Sequence, residues 1–207
     1  MAAITRIEVA NFLGDGYEPG KQWVPLYRGE TLRLAGVNGF GSSTAIQIEN
    51  GGGKTSLTEA CLFLLTRNSR LKTKVMARVA PADNSWTHIR IEFAERPVDD
   101  DMAQRDLIVI DQRDVPGTSY VVGMVWSRGK DPVFYRYQGV LEAAPCFKKD
   151  GATLHLIDNE TFRVSVKGAP GGKNGVPGAK WDTWRSAKEW EQEIKFFCDT
   201  EVLKQNV

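Results

Sequence analysis

The chain has 207 residues, 42% of them hydrophobic and 26% charged, with 27 basic residues against 26 acidic ones. That is enough for one sizeable core, or one domain and a small appendage, in a soluble globular protein. A net charge of +1 gives no global basic field, so any contact with nucleic acid has to come from a local patch. No apolar run approaches the roughly 20 residues of a membrane helix, and "MAAITRIEVANF" lacks the apolar core of a signal peptide. The cysteines, Cys61, Cys146 and Cys198, are odd in number and far apart. Free thiols in a reducing, cytoplasmic setting are therefore expected, with no membrane partner.

In chain order, Ile7 and Val9 alternate with Arg6, Glu8 and Ala10, a strand pattern of period two. A loop, "LGDGYEPGK", leads to a short strand from Thr31 to Ala35, then to the glycine-rich connection from Gly36 to Ser43. Ile46 and Ile48 alternate with Gln47 and Glu49 and run into "NGGGKTS". Beyond Lys54, Leu57, Ala60, Cys61 and Leu64 fall at helical spacing, and Leu62, Phe63 and Leu65 widen the apolar face, so a largely buried helix is expected. "RNSRLKTKVMARVAPADNS" reads as a basic, exposed connection. "THIRIEFAE" is a strand with Ile89, Ile91 and Phe93 on one face and His88 on the outward one. "DLIVIDQ" and "SYVVGMVW", separated by a Pro-Gly turn, suggest an antiparallel hairpin, and "PVFYRYQGV" a further strand. The stretch 168–180 is a glycine- and proline-rich loop or linker. A helical pattern with Trp190, Ile194 and Phe197 follows it.

The glycine loop carries the chemistry. Gly53, Lys54 and Thr55 satisfy the last three positions of G-x-x-x-x-G-K-[ST], while Ile48 stands where the first glycine belongs. Backbone N–H groups at Gly51, Gly52, Gly53 and Lys54 can curl around a phosphate, because glycine permits unusual torsions and close approach. Lys54 can reach the β- and γ-phosphates, and the Thr55 hydroxyl can ligate Mg²⁺. The position after a strand and at a helix N-terminus adds the dipole and its unpaired N–H groups. The bland alternative is a glycine-rich turn with a solvated lysine. A second string, "PGGKNG", lacks Ser or Thr after Lys173 and is read as a loop.

A nucleotide hydrolase also needs a second acidic metal site and a group that orients water. "LIVID" ends in Asp111, but Gln112 follows it, and a strand-end aspartate at a turn explains it equally. No "LSGG"-type signature occurs. A phosphate loop near residue 50 with the other catalytic parts missing resembles the N-terminal half of a split ATPase head of the SMC/MukB type, within the ABC ATPase class. The opening "ITRIEVANF", the following hairpin, the loop I-E-N-G-G-G-K-T against the family's G-P-N-G-S-G-K-S, and the helix "SLTEACLFLL" carry the likeness. It departs from the family at Ile48 and Glu49. The strand-rich stretch from Leu107 to Gly139 is closer to MukB and its relatives in bacterial anti-phage defence.

The resemblance implies an α/β fold: one phosphate-loop head lobe over 1–207, with a mixed sheet and an antiparallel strand-rich insert. It implies ATP and Mg²⁺ bound through Asn50, Gly51, Gly52, Gly53, Lys54, Thr55 and Ser56, with Lys54 catalytic and Thr55 on the metal. A glutamine late in the lobe would meet metal and water; Gln205 is nearest by position, with Gln192 and Gln138 competing. A coiled coil, a complementary C-terminal lobe and a second head sandwiching the nucleotide would complete the ATPase, so the chain is expected to be a fragment or one subunit of a split head. DNA is the implied partner, in chromosome organisation, repair or defence, and Arg67, Arg70, Lys72 and Lys74 are the candidate contacts; a solvated basic face is the alternative. His88 and His155 have no partner at metal spacing and read as structural. Two rival functions stay open: a self-contained small-molecule kinase or GTPase, which would need Asp111, and a non-catalytic interaction module with a degenerate loop.

Overall fold

The structure is a computed structural model of the chain, describing residues 3–14, 25–27, 29–33, 53–80, 86–94, 119–150, 153–169, 175–195 and 198. The strands are β1 (Ala3–Ala10), β2 (Phe12–Gly14), β3 (Pro25–Tyr27), β4 (Glu30–Arg33), β5 (Thr87–Ala94), β6 (Ser119–Trp126), β7 (Val133–Gln138), β8 (Phe147–Asp150), β9 (Thr153–Leu156) and β10 (Lys180–Trp181). Among the described residues the helices are α1 (Lys54–Thr66), α2 (Ser69–Met76), α3 (Asn159–Lys167) and α4 (Ala187–Ile194), with a 3-10 turn at Leu141–Ala143.

Six strands form one sheet in the order β10-β7-β6-β5-β1-β4. Every pairing in it is antiparallel, where a mixed sheet was expected. The strand expected at Ile46 to Glu49, which would enter the phosphate loop, lies outside the described residues, and so does "LIVID". The anticipated hairpin between "DLIVIDQ" and "SYVVGMVW" is not what β6 makes among the described residues: β6 sits between β5 and β7.

The sheet is covered on both faces. Ile7, Val9, Ile89, Ile91, Phe93, Val122, Met124 and Phe134 pack with residues of α1, α2 and α4. Val121, Val125, Tyr135, Tyr137 and Trp181 pack on the opposite side with Leu141, Cys146, Phe162 and Val166. A bulge in β1 sets which side chains go where. Ile4 pairs with Phe93 and Arg6 with Glu92, so Thr5 is the extra residue. Ile4 therefore shares the helix-covered face with Ile7 and Val9, while the Arg6 and Glu8 side chains reach the other.

The expected buried helix is α1, with Leu57, Ala60, Phe63, Leu64 and Leu65 all buried. Burying each large apolar side chain contributes about 1.5–3 kcal/mol. The basic stretch after it is a second helix rather than an exposed connection. The Asn68 side chain accepts a 2.9 Å hydrogen bond from the Arg70 N–H and starts α2. Leu71 and Val75, one turn apart, are its buried residues. Helix α3 follows the same rule: Asp158 caps it by accepting from the Thr161 N–H at 2.8 Å, and Phe162 and Val166 are buried.

Within the stretch 168–180, expected to be a loop or linker, the described residues around Val176 and Pro177 are held by backbone hydrogen bonds. The Val176 N–H donates to Val166 O at 3.0 Å, and the Gln138 N–H donates to Pro177 O at 2.8 Å. The C-terminal tryptophans are core residues. Trp190 is fully buried and donates its indole N–H to Leu64 O at 2.7 Å, locking α4 onto α1.

Candidate functional site

The glycine loop is described from Gly53 onward. Gly53 has φ 77°, in the left-handed region, and stands immediately before α1. A side chain is disfavoured in that conformation, which gives the third glycine of the run a physical reason. The other three helices start with a capping side chain: Asn68, Asp158 and Ser186. Helix α1 starts with none and has no acidic residue in its first turn. Lys54 and Thr55 are exposed at this end, and Ser56 is buried beneath them. The Gly53 carbonyl accepts from the Leu57 N–H at 2.9 Å, and the Lys54 carbonyl accepts from the Thr58 hydroxyl at 3.0 Å. Among the described residues, a start with no side-chain cap at Gly53 and no carboxylate in its first turn suits an anion. Asn50, Gly51 and Gly52 lie outside the described residues, as do Gln205 and Asp111. Gln138 and Gln192 are exposed on β7 and α4.

The basic run meets its counter-ions inside this chain. Arg67 ends α1 with φ 50° and places its guanidinium 4.5 Å from the centre of the Phe134 ring. The same group donates to Trp184 O at 3.1 Å and to Ser186 O at 3.3 Å. Burial lowers its pKa, against the pull of Asp182 and Glu189. Arg67 is thus a brace between α1, β7 and the segment before α4. Lys74 and Arg78 both pair with Glu59, at 3.1 and 2.6 Å, and Lys72 pairs with Asp131 at 2.6 Å. Arg70 is exposed and, among the described residues, has no such side-chain partner.

A second constellation lies on the other face of the sheet, and the sequence reading missed it. His88, expected to face outward, has no exposed surface at all. Its outward alternation on β5 is real, but α3 and the 141–146 segment cover that face. Arg90, two residues on, is 2% exposed. It donates from Nε to Glu8 Oε1 at 2.7 Å, and from Nη1 to Ala144 O at 2.6 Å and the Tyr137 hydroxyl at 3.2 Å. Cys146 Sγ donates to the same Glu8 Oε1 at 2.7 Å. At the edge of the cluster Arg6 binds both Glu92 and Glu142, and Glu92 also accepts from the Leu141 N–H at 2.8 Å.

Electrostatics follow from burial. His88 is held neutral, first by desolvation and then by the Arg90 charge. Burial drives the thiol of Cys146 and the phenols of Tyr135 and Tyr137 upward, so all three keep their protons. The Nε2 atom of His88 shares a hydrogen bond with the Tyr135 hydroxyl, while its buried Nδ1 has no hydrogen-bond partner. A signal for this site was present: Glu8, His88, Arg90 and Glu92 are polar at alternate positions of strands whose other face is apolar. Without the pairing of β1 with β5, that pattern reads as a solvated face. His155 is exposed on β9, away from the cluster.

Compared with protein families, with curated proteins and with solved structures, the chain matches none. No described helix is long and apolar enough to cross a membrane.

Proposed function

We propose that the chain binds Mg-ATP through Asn50 to Ser56, as the N-terminal lobe of an SMC-like ATPase head. The observation that carries this is the start of α1: a left-handed Gly53 leading directly into Lys54 and Thr55, with no side-chain cap and no acidic residue in the first turn. Together with the sequence "NGGGKTS", it offers N–H groups, a cation and a hydroxyl to one anion. The chain order also agrees with the resemblance: an opening strand β1, a returning strand β4, the glycine loop, then a buried helix. Lys54 would neutralise the β- and γ-phosphates and Thr55 would hold the metal. Bound Mg-ATP supplies the phosphoanhydride bond; a complementary lobe and a second head are needed for its hydrolysis. The role implied is DNA organisation, repair or anti-phage defence in a cytoplasmic complex, with Arg70 the most available of the basic candidates.

The test is a titration with fluorescent ATP and Mg²⁺ beside Lys54→Ala, with both folds checked by circular dichroism. Saturable binding that weakens at least tenfold in the variant is expected, since that is about 1.4 kcal/mol of a charged phosphate contact. Unchanged binding by Lys54→Ala removes the phosphate loop from the account. No binding by the folded wild type leaves the non-catalytic interaction module.

A further inference from the structure

We propose that Glu8, His88 and Cys146 form a binding site for a single divalent zinc-type cation, buried on the face of the sheet opposite α1. One donor atom from each of the three lies within 4.8 Å of the others, and all three residues are buried. They come from β1, β5 and the turn before β8, so the tertiary fold, and no local spacing, assembles them. Imidazole, thiolate and carboxylate are the donor set that zinc takes.

Two features point to a cation rather than to a satisfied polar cluster. The first is His88. Tyr135 holds its Nε2, and Nδ1 is left buried and unpartnered, 3.9 Å from Glu8 Oε1. A buried ring nitrogen without a partner is costly. A ligating histidine, by contrast, has its second nitrogen held by an outer group, as Tyr135 holds this one. The second is the contact beside it. Cys146 Sγ sits 2.7 Å from the Glu8 carboxylate, and a divalent ion would take the place of the thiol proton between them.

The geometry needs small shifts. Tetrahedral zinc with bonds of about 2.0–2.3 Å separates its donors by roughly 3.3–3.6 Å. The Cys146–Glu8 contact at 2.7 Å would open and the His88–Glu8 distance at 3.9 Å would close, each by less than about 1 Å, and the His88–Cys146 distance, within 4.8 Å, would close by at most about 1.3 Å. Arg90 can keep its bond to Glu8, because a carboxylate offers about four lone-pair directions. A pocket of about 110 Å³ reaches Glu8 and Cys146, between Arg6, Arg90 and Glu142. His88 does not line it, so a fourth, exchangeable ligand such as water would enter from the Glu8 and Cys146 side.

The test uses the full chain, stripped of metal with a chelator and titrated with Co²⁺. One Co²⁺ per chain should bind, with a thiolate-to-cobalt charge-transfer band and the strong visible bands of a tetrahedral site; Zn²⁺ should erase them. The band should persist in Cys61→Ser/Cys198→Ser and vanish in Cys146→Ser. Tyr135→Phe should weaken affinity roughly tenfold while keeping the thiolate band. Absence of the band in the folded wild type overturns the proposal, and needs no variant to fold. Its survival in Cys146→Ser also overturns it.

Discussion

Beneath α1 and α2 the central strands present Ile7, Val9, Ile89, Ile91 and Phe93; from the same strands Glu8, His88, Arg90 and Glu92 project the other way. Both sets are buried to a similar degree, so exposure does not distinguish them. Their tolerance to change does. On the apolar face a side chain gains from area and fit, and neighbours substitute for one another. On the polar face each group depends on a named partner in low dielectric, and a missing partner leaves a charge stranded. Equal burial thus conceals two kinds of core, one forgiving in composition and one that is not.

The largest expected effect attacks that difference directly. Arg90→Leu leaves the Glu8 carboxylate buried beside a thiol and a neutral imidazole. It should cost about 3–5 kcal/mol in urea denaturation. The double variant Glu8→Leu/Arg90→Leu should recover much of that loss, because no charge is stranded. Ile91→Ala on the apolar face should cost about 2–5 kcal/mol, and no second truncation there should restore it. Additive losses for Glu8 and Arg90 would show that the two faces obey the same rule.

A smaller effect tests how the polar face is shaped. Gly123 on β6 lies opposite Tyr135 in the register, and a Cβ at Gly123 would clash with the hydroxyl end of the Tyr135 ring, closest to Cζ. The glycine serves as space, letting Tyr135 lie across β6 to reach His88 on β5. Gly123→Ala should therefore cost about 1–3 kcal/mol by overpacking. Adding Tyr135→Leu should relieve part of that cost, so the pair should be less damaging than the sum. Strict additivity would mean that the ring moves aside freely.

The apolar face was legible in the sequence and the polar face was not, for a physical reason. Ile89, Ile91 and Phe93 alternate at period two, and Leu57, Ala60 and Leu64 recur at helical spacing, so burial is written locally. Arg90 finds Glu8 82 residues away and Tyr137 47 residues away. Those partners decide whether a polar strand residue is solvated or buried, and no window of sequence contains them. The basic run from Arg67 to Arg78 misleads in the same way, because Glu59 and Asp131 come from α1 and from the turn after β6. Two helices were missed although their signals were local: Asn68 with Leu71 and Val75, and Asp158 with Phe162 and Val166, are caps followed by an i, i+4 apolar pair. The helix expected beyond Lys54 is α1, which begins at Lys54 itself, whereas the expected strand before it and the first half of the glycine loop fall outside the described residues.

The smallest expected effect lies at the border between the two kinds of core, on the α1 face, where one polar cluster intrudes. Glu193 on α4 accepts from Arg136 Nε at 2.7 Å, from Lys180 Nζ at 2.8 Å and from the Trp184 indole at 3.2 Å. Burial pushes its pKa up, but the bonds from Lys180, Trp184 and Arg136 together outweigh it and bring the pKa below the ordinary 4.5. A carboxylate depressed in the folded state stabilises the fold above its unfolded pKa. That contribution fades as pH falls from about 4.5 through the lower folded value. Lys180 is nearly half exposed, so solvent screens its share, and Glu193→Gln should cost on the order of 1 kcal/mol at neutral pH. The gap between wild type and variant should narrow steadily in acid. A gap that holds constant from neutral pH into acid would assign Glu193 a role in packing rather than charge, and would place it with the forgiving core.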